Sequence, residues 1–346
     1  MPSFDFTAWR RGPYKLLTTL HGPRDTVFSV SISVEGRFVV ATGYSGVYTW
    51  DLSTRAPVRT PFIPHSSNEP KNMFSALAWL LFEQGNRDVV VLGNMSGQIF
   101  LWEWGHQTQA FDRFCDVPET DSREQISSIG VLEQRITEPN NLQNNTGVTA
   151  ARIAVAHVDG RVTVWLVSSD RSVTKIFGVI VPDIPKNVRF SQKSMQVLVF
   201  AMAGGNLYKL NPETGEVVEV LNCGGIAKVM GHVSLDETND CFVAWTGRDF
   251  DIFALSDGRH LRTLDGGNPL VSFVKQVAFT NEGNLAISGT DRGCGILYDT
   301  RSGKAVQTLR YPKGGLVQPV TVSFSKHPPQ QQTVGLNSSP LVSRCT

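Results

Sequence analysis

Residues 27–51 read VFSVSISVEGRFVVATGYSGVYTWD. Phe28, Val30, Ile32 and Val34 alternate there with Ser29, Ser31, Ser33 and Glu35, a period of two that gives a β-strand one apolar face. A turn at Glu35-Gly36 follows, then a second apolar stretch over 38–42, a Gly-bearing turn over 43–46 and a third stretch over 47–51. Three short strands in series make a meander. One meander leaves two faces and two edges uncovered, so it needs neighbours of the same kind.

The chain supplies them. An apolar triplet spaced apolar-x-x-apolar-x-apolar opens each unit: Val27/Val30/Ile32, Phe74/Leu77/Trp79, Ile126/Ile129/Val131, Met230/Val233/Leu235, Val274/Val277/Phe279 and Val317/Val320/Val322. A further case, Pro185/Val188/Phe190, has a proline where a strand begins, which is tolerated. Units therefore begin near 27, 74, 126, 185, 230, 274 and 317, with steps of 47, 52, 59, 45, 44 and 43 residues. A period of about 40–45 with four strands per unit is that of propeller blades.

The ends of the third strands carry a second marker: Trp50-Asp51, Trp102-Glu103, Trp165-Leu166, Leu210-Asn211, Leu255-Ser256 and Tyr298-Asp299. Here the chain resembles the WD-repeat family, whose signature dipeptide is Trp50-Asp51 and of which Tyr298-Asp299 is a close variant. The strings NPETGEVVEVL, SDGRHLRTL and DTRSGKAVQTL look like that family's return segment, and His21-Gly22 stands 29 residues before Trp50, where the family carries Gly-His. The resemblance covers roughly residues 14–325 and is degenerate. The turn before the third strand, where the family often has Asp, matches at Asp159 and Asp249, but holds Ser45, Ser96, Gly204 and Arg292 elsewhere, with Asp291 one residue early.

Together these readings predict an all-β chain with almost no helix: a seven-bladed propeller of four-stranded antiparallel blades, forming one domain over 1–346. The resemblance implies that a strand from the N-terminus, residues 14–20, completes the last blade. Polar segment 140–148 is expected as a surface loop of the third blade, and 61–71 as the loop joining the first two. After Val322 the sequence runs through Pro328, Pro329, three glutamines and Pro340, poor strand material, so 326–346 is expected to be an irregular end and the seventh blade incomplete.

A net charge of +1 draws the molecule neither to nucleic acid nor to anionic membranes, and the cluster Arg10, Arg11, Lys15 and Arg24 reads as a solvated face. The first 17 residues lack a secretory apolar stretch, and no later run approaches the ~20 residues that span a bilayer. Cys115, Cys223, Cys241, Cys294 and Cys345 are odd in number and form no C-x-x-C pair, which predicts a reducing, intracellular setting, cytoplasmic or nuclear. The sequons at Asn94, Asn144 and Asn337 are then chance matches. None of the seven histidines has metal-ligand spacing on a helix, no G-x-S-x-G elbow appears, and Gly204-Gly205 and Gly224-Gly225 lack a P-loop lysine. His157 and His232 read as structural histidines, and Trp50, Trp102 and Trp165, at one repeated position, as core rather than a base-stacking platform.

No cofactor and no nucleic-acid partner are expected. The function this implies is a non-enzymatic scaffold or adaptor that presents propeller loops to partner proteins or peptides. In WD propellers those loops gather on one face, and here they carry Arg24, Asp25, Tyr44, Asn94, Met95, Asp159, Arg248, Asp249, Asp291 and Arg292. The alternative is a propeller enzyme of quinoprotein or lactonase type working in the central channel. Its sign would be polar or acidic residues on several inner strands; these strands offer mostly Val, Ile, Ser and Ala, so no charged ring is expected.

Overall fold

A computed structural model of the chain describes residue 14 and residues 18–23, 25–62, 69–137, 149–225, 228–271, 273–280, 282–311, 315–323 and 332–338. Among these residues the chain is a β-propeller of antiparallel blades. Blade 1 comprises Val27–Ile32, Phe38–Gly43, Gly46–Asp51 and Ala56–Pro57, and blade 2 Phe74–Phe82, Arg87–Asn94, Ile99–Gly105 and Ala110–Cys115. Blade 3 comprises Ile126–Val131, Ala150–His157, Arg161–Ser168 and Val173–Ile180, and blade 4 Pro185–Phe190, Val197–Ala201, Asn206–Leu210 and Val217–Asn222. Blade 5 is Val233–Asp236, Cys241–Trp245, Phe250–Ala254 and His260–Leu264; blade 6 is Val277–Thr280, Leu285–Gly289, Cys294–Asp299 and Ala305–Arg310. A short extra strand, Arg135–Ile136, runs parallel to Phe74–Phe82 and widens blade 2.

The expected count of seven four-stranded blades is corrected to six. After blade 6 comes a two-stranded antiparallel hairpin, Leu316–Ser323 against Gln332–Ser338. Among the described residues no further strand joins these two, and the prolines at 328, 329 and 340 in this stretch cannot donate to a strand ladder. Within the stretch expected to be irregular, QTVGLNS forms a strand because its residues pair in register with the hairpin's first strand, Val320 opposite Gly335 and Val322 opposite Thr333. Tyr14 and residues 18–20 are not in strand, and 15–17, like 140–148 and most of 61–71, lie outside the described residues.

The first strands lie nearest the axis, side by side through blades 1 to 4 and again through blades 5, 6 and the hairpin; Arg189 Nη2 donates to the Val233 carbonyl between blades 4 and 5, and the hairpin's first strand lies against Val27–Ile32 to close the ring. Burial follows from that order. Second strands such as Phe38–Gly43, Val197–Ala201 and Cys241–Trp245 are buried along their whole length. They are sandwiched between neighbouring blades on both faces, so they read as unbroken apolar runs rather than as alternation. Outer strands such as Val217–Asn222 and His260–Leu264 are mostly exposed.

The core is accordingly a set of layers between blades. Blades 1 and 2 share an aromatic layer in which the Phe38 ring sits 4.7 Å from Trp104 and 5.3 Å from Phe111, centroid to centroid. Trp50, Trp102 and Trp165 are 2–3 % exposed at their repeated position, so they are core residues. The Trp50 indole N–H donates to the His21 carbonyl at 3.2 Å, fixing the segment before blade 1 on that blade's face. The N-terminal segment meets both sides of the gap that the hairpin fills. Leu20 packs with Val27, Val39 and Trp50 of blade 1, and Tyr14 with Ile287 and Leu297 of blade 6. Gln307 receives Tyr14 as a strand would, its side-chain amide accepting from the Tyr14 N–H at 3.1 Å and donating to the Tyr14 carbonyl at 2.9 Å.

Candidate functional site

The site starts from a repeated irregularity of the inner strands. In blades 1 to 4 the first strand carries one residue more than its partner opposes, and the extra residues are Phe28, Ser75, Ser127 and Lys186. The hairpin has the same kind of break at Gln318 and Pro319. A bulge re-aims the side chain at the extra position. Phe28, Ser75, Ser127, Lys186 and Gln318 all line one cavity on the propeller axis, of about 300 Å³, to which all six blades and the hairpin contribute. In blades 5 and 6 the strand begins only at Val233 and Val277, three residues into the sequence triplet, which leaves His232 and Gln276 at the cavity wall.

Side chains of this layer also join the blades. The hydroxyls of Ser75 and Ser127 each donate at 2.6 Å to the first carbonyl of the next inner strand, Ile126 and Pro185 respectively. In the other sense the Val188 N–H donates to Ser128 Oγ (3.2 Å), Val277 N–H to His232 Nδ1 (3.4 Å) and Val320 N–H to Gln276 Oε1 (3.2 Å). These bonds satisfy backbone groups that the innermost edge would otherwise leave unpaired.

The inner strands were expected to offer mostly Val, Ile, Ser and Ala; the cavity they line also carries basic side chains. Lys186, Arg189 and His232 face the cavity, and no Asp or Glu is among its lining residues. Arg189 donates from Nη1 to Ser128 Oγ (3.2 Å) and the Val188 carbonyl (2.8 Å), and from Nη2 to the Val233 carbonyl (3.3 Å). Burial lowers its pKa to about 10 and draws the Lys186 ammonium down as well; neither has a carboxylate against it. Burial, together with Arg189 and Lys186, pushes His232 down to about 3, so its ring is neutral, with Nδ1 accepting. Asn187, on the same wall, is 3 % exposed and its Nδ2 has no hydrogen-bond partner. The sequence held a signal for this: PKNVRF is the only triplet carrying two cations between its apolar residues, VKQVAF carrying one, Lys275, and the others none.

The cavity opens where the first strands begin, the end of the ring that also carries the turns between second and third strands. The loop residues singled out in the sequence sit at this end, but they divide by role. Asn94 is fully buried and ties its turn to the incoming loop, donating to the Lys71 carbonyl at 2.9 Å and accepting from the N–H groups of Ser96 and Gln98. Asp159 accepts from Ser122 Oγ at 2.8 Å, and Asp249 from the Gly266 N–H at 3.0 Å. Asp291 is buried beside Lys275, 3.6 Å away. Although burial opposes it, the N–H groups of Val271 and Leu270 and the Lys275 ammonium hold its carboxyl below the usual range. Tyr44, Arg248 and Arg292 are exposed, Met95 reaches the cavity rim, Asp25 is half-buried and Arg24 lies outside the described residues. The sequence reading missed Ile184, Met202, Leu270, Val271 and Phe273, which are exposed on the same end.

Among the described residues no three His, Cys, Asp or Glu side chains gather as a metal site, and no helix is long and apolar enough to cross a membrane. Cys115, Cys223, Cys241 and Cys294 are free thiols, and burial pushes Cys241 up to about 12. No protein-family model matches the chain, and no curated protein matches it either.

Proposed function

We propose that this chain is a WD-type propeller acting as a non-enzymatic docking platform for proteins or peptides, through the loop face around its channel. One observation carries the reading. Tyr44, Met202, Leu270, Phe273, Arg248 and Arg292 are exposed together at the channel end, while the polar turn residues beside them are already engaged. Tyr, Phe, Met and Arg are enriched in protein interfaces and scattered polar groups are not. The buried tryptophans at one third-strand position and the Trp50 contact with His21 support the WD assignment. On this reading the hairpin is the abbreviated seventh blade. The free thiols fit a reducing compartment, cytoplasmic or nuclear.

Affinity purification with mass spectrometry tests it, comparing the wild type with a Tyr44→Ala, Arg248→Ala, Arg292→Ala triple variant. These side chains are exposed, so the variant folds, and it is expected to lose its specific partners. An unchanged partner set from the folded variant would move the docking surface to the blade sides or the opposite face.

A second reading, a propeller enzyme acting in the channel, is favoured by the convergence of Lys186, Asn187, Arg189 and His232 on one cavity. Its lactonase form draws less support, since calcium prefers carboxylate ligands and the lining offers cations and amides.

A further inference from the structure

We infer that the axial cavity is a binding site for a phosphate monoester, carried by a small phosphorylated molecule that enters from the loop face. Charge is the first argument. Lys186 and Arg189 bring two positive charges to one wall, with no carboxylate lining the cavity. Both are half-buried and partly desolvated, and cations so placed are ordinarily paired, because leaving them unpaired is costly. A phosphate monoester carries about −1.5 to −2 at neutral pH, which matches two cations in a single group, whereas a carboxylate brings half of that.

Donor count is the second. Three of the five guanidinium N–H bonds of Arg189 are used, two by Nη1 and one by Nη2. Two remain. The Lys186 ammonium makes no hydrogen bond or ion pair among the described residues, and Asn187 Nδ2 is a buried donor without an acceptor. The neutral His232, accepting at Nδ1, carries its proton on Nε2. Three side chains of two adjacent blades, Lys186, Arg189 and His232, thus line one space with spare donors, and phosphate oxygens accept such bonds.

Size and shape are the third. A volume of about 300 Å³ is at the lower end of ligand pockets, enough for a small metabolite. Walls from every blade and from the hairpin enclose it on all sides of the axis. The bulge at Lys186 is what turns that ammonium inward, so the same backbone device that puts Ser75 and Ser127 at the junctions of blades 2 and 3 supplies a ligand cation in blade 4. The inference does not depend on the loop face docking proteins.

The test uses the full chain, with glucose 6-phosphate, inorganic phosphate, glucose, sodium chloride at matched ionic strength and a phosphoserine peptide as probes. Thermal unfolding and phosphorus NMR of the sugar phosphate are the readouts. Glucose 6-phosphate is expected to raise the melting temperature and broaden its own phosphorus resonance, while glucose and chloride do neither. Lys186→Met removes a half-buried cation that has no partner among the described residues, so the unliganded variant melts no lower than wild type, and its affinity for the sugar phosphate falls about ten-fold or more. The triple variant at Tyr44, Arg248 and Arg292 keeps wild-type phosphate binding even where it has lost protein partners, which separates the two proposals. Absence of broadening with the wild-type protein overturns the inference, and that readout needs no variant to fold. So does an equal response from wild type and Lys186→Met, or from chloride and phosphate. Binding of the phosphoserine peptide without binding of either small phosphate would overturn the small-molecule assignment.

Discussion

Asp88 shows how one buried carboxyl can write itself into the stability of the whole chain. It lies on the second strand of blade 2, 6 % exposed, and its Oδ1 has no hydrogen-bond partner. Burial, helped by the nearby Glu35 carboxylate, raises its pKa to about 6. The ordinary carboxyl of an unfolded chain titrates near 3.9, so between about pH 4 and 6 the folded state holds the extra proton. Stability is therefore present in full below pH 4 and lost as pH rises through 6. Asp88→Asn is expected to remove that loss, raising stability at pH 7.5 by on the order of 2 kcal/mol while changing little at pH 4. Denaturant midpoints at the two pH values check it; equal shifts at both would contradict the assignment. The sequence shows Asp88 only as a polar residue before an apolar run, because burial is a property of the neighbouring blade. Lys186 and Arg189 were legible as an unusual pair in PKNVRF, but not as channel residues.

At the scale of the strand, the bulge separates what alternation can and cannot tell. The triplets mark the inner strands of the six blades and the first strand of the hairpin, and second and third members such as Val30 and Ile32 or Val188 and Phe190 are buried between blades. Phe28 fits the same alternation yet lines the channel, because the extra residue at the start of the strand shifts the face by one position. Which strand bulges depends on pairing with its neighbour, which a single segment does not encode. Close approach leaves a clearer trace. Gly289 ends the second strand of blade 6, where an added Cβ would stand 2.2 Å from the Val317 carbonyl and 2.9 Å from that of Gln318. Glycine there lets the hairpin's first strand dock, with Val317 N–H donating to the Thr290 carbonyl and Gln276 N–H to the Gln318 carbonyl. Gly289→Ala is expected to cost roughly 1–3 kcal/mol and to speed hydrogen exchange of the amides in Leu316–Ser323 more than elsewhere. Uniform exchange rates, unchanged from wild type, would mean that the hairpin is not held by this contact.

For the molecule as a whole, closure is the property from which the rest follows. Six blades bury each other's faces in pairs, but blade 6 and blade 1 each present one face to the gap, with Ile287 and Leu297 on one side and Val39 and Trp50 on the other. The hairpin and the N-terminal segment through Tyr14 and Leu20 are what meet those faces. Only a closed ring brings the blade 4 cations, the blade 5 histidine and Gln318 of the hairpin onto one axis. The repeat period made the ring legible in the sequence; the irregular last unit was legible as a shortage of strand formers, while the pairing of QTVGLNS was hidden by its polar composition. Thermal unfolding of the chain ended at Gly315, compared with the full chain, tests closure through the hairpin most directly. The midpoint is expected to fall by about 10 °C or more, or the transition to broaden, as two apolar blade faces become exposed; a chain without residues 316–346 that unfolds at the same temperature and as sharply as the full one would contradict closure through the hairpin.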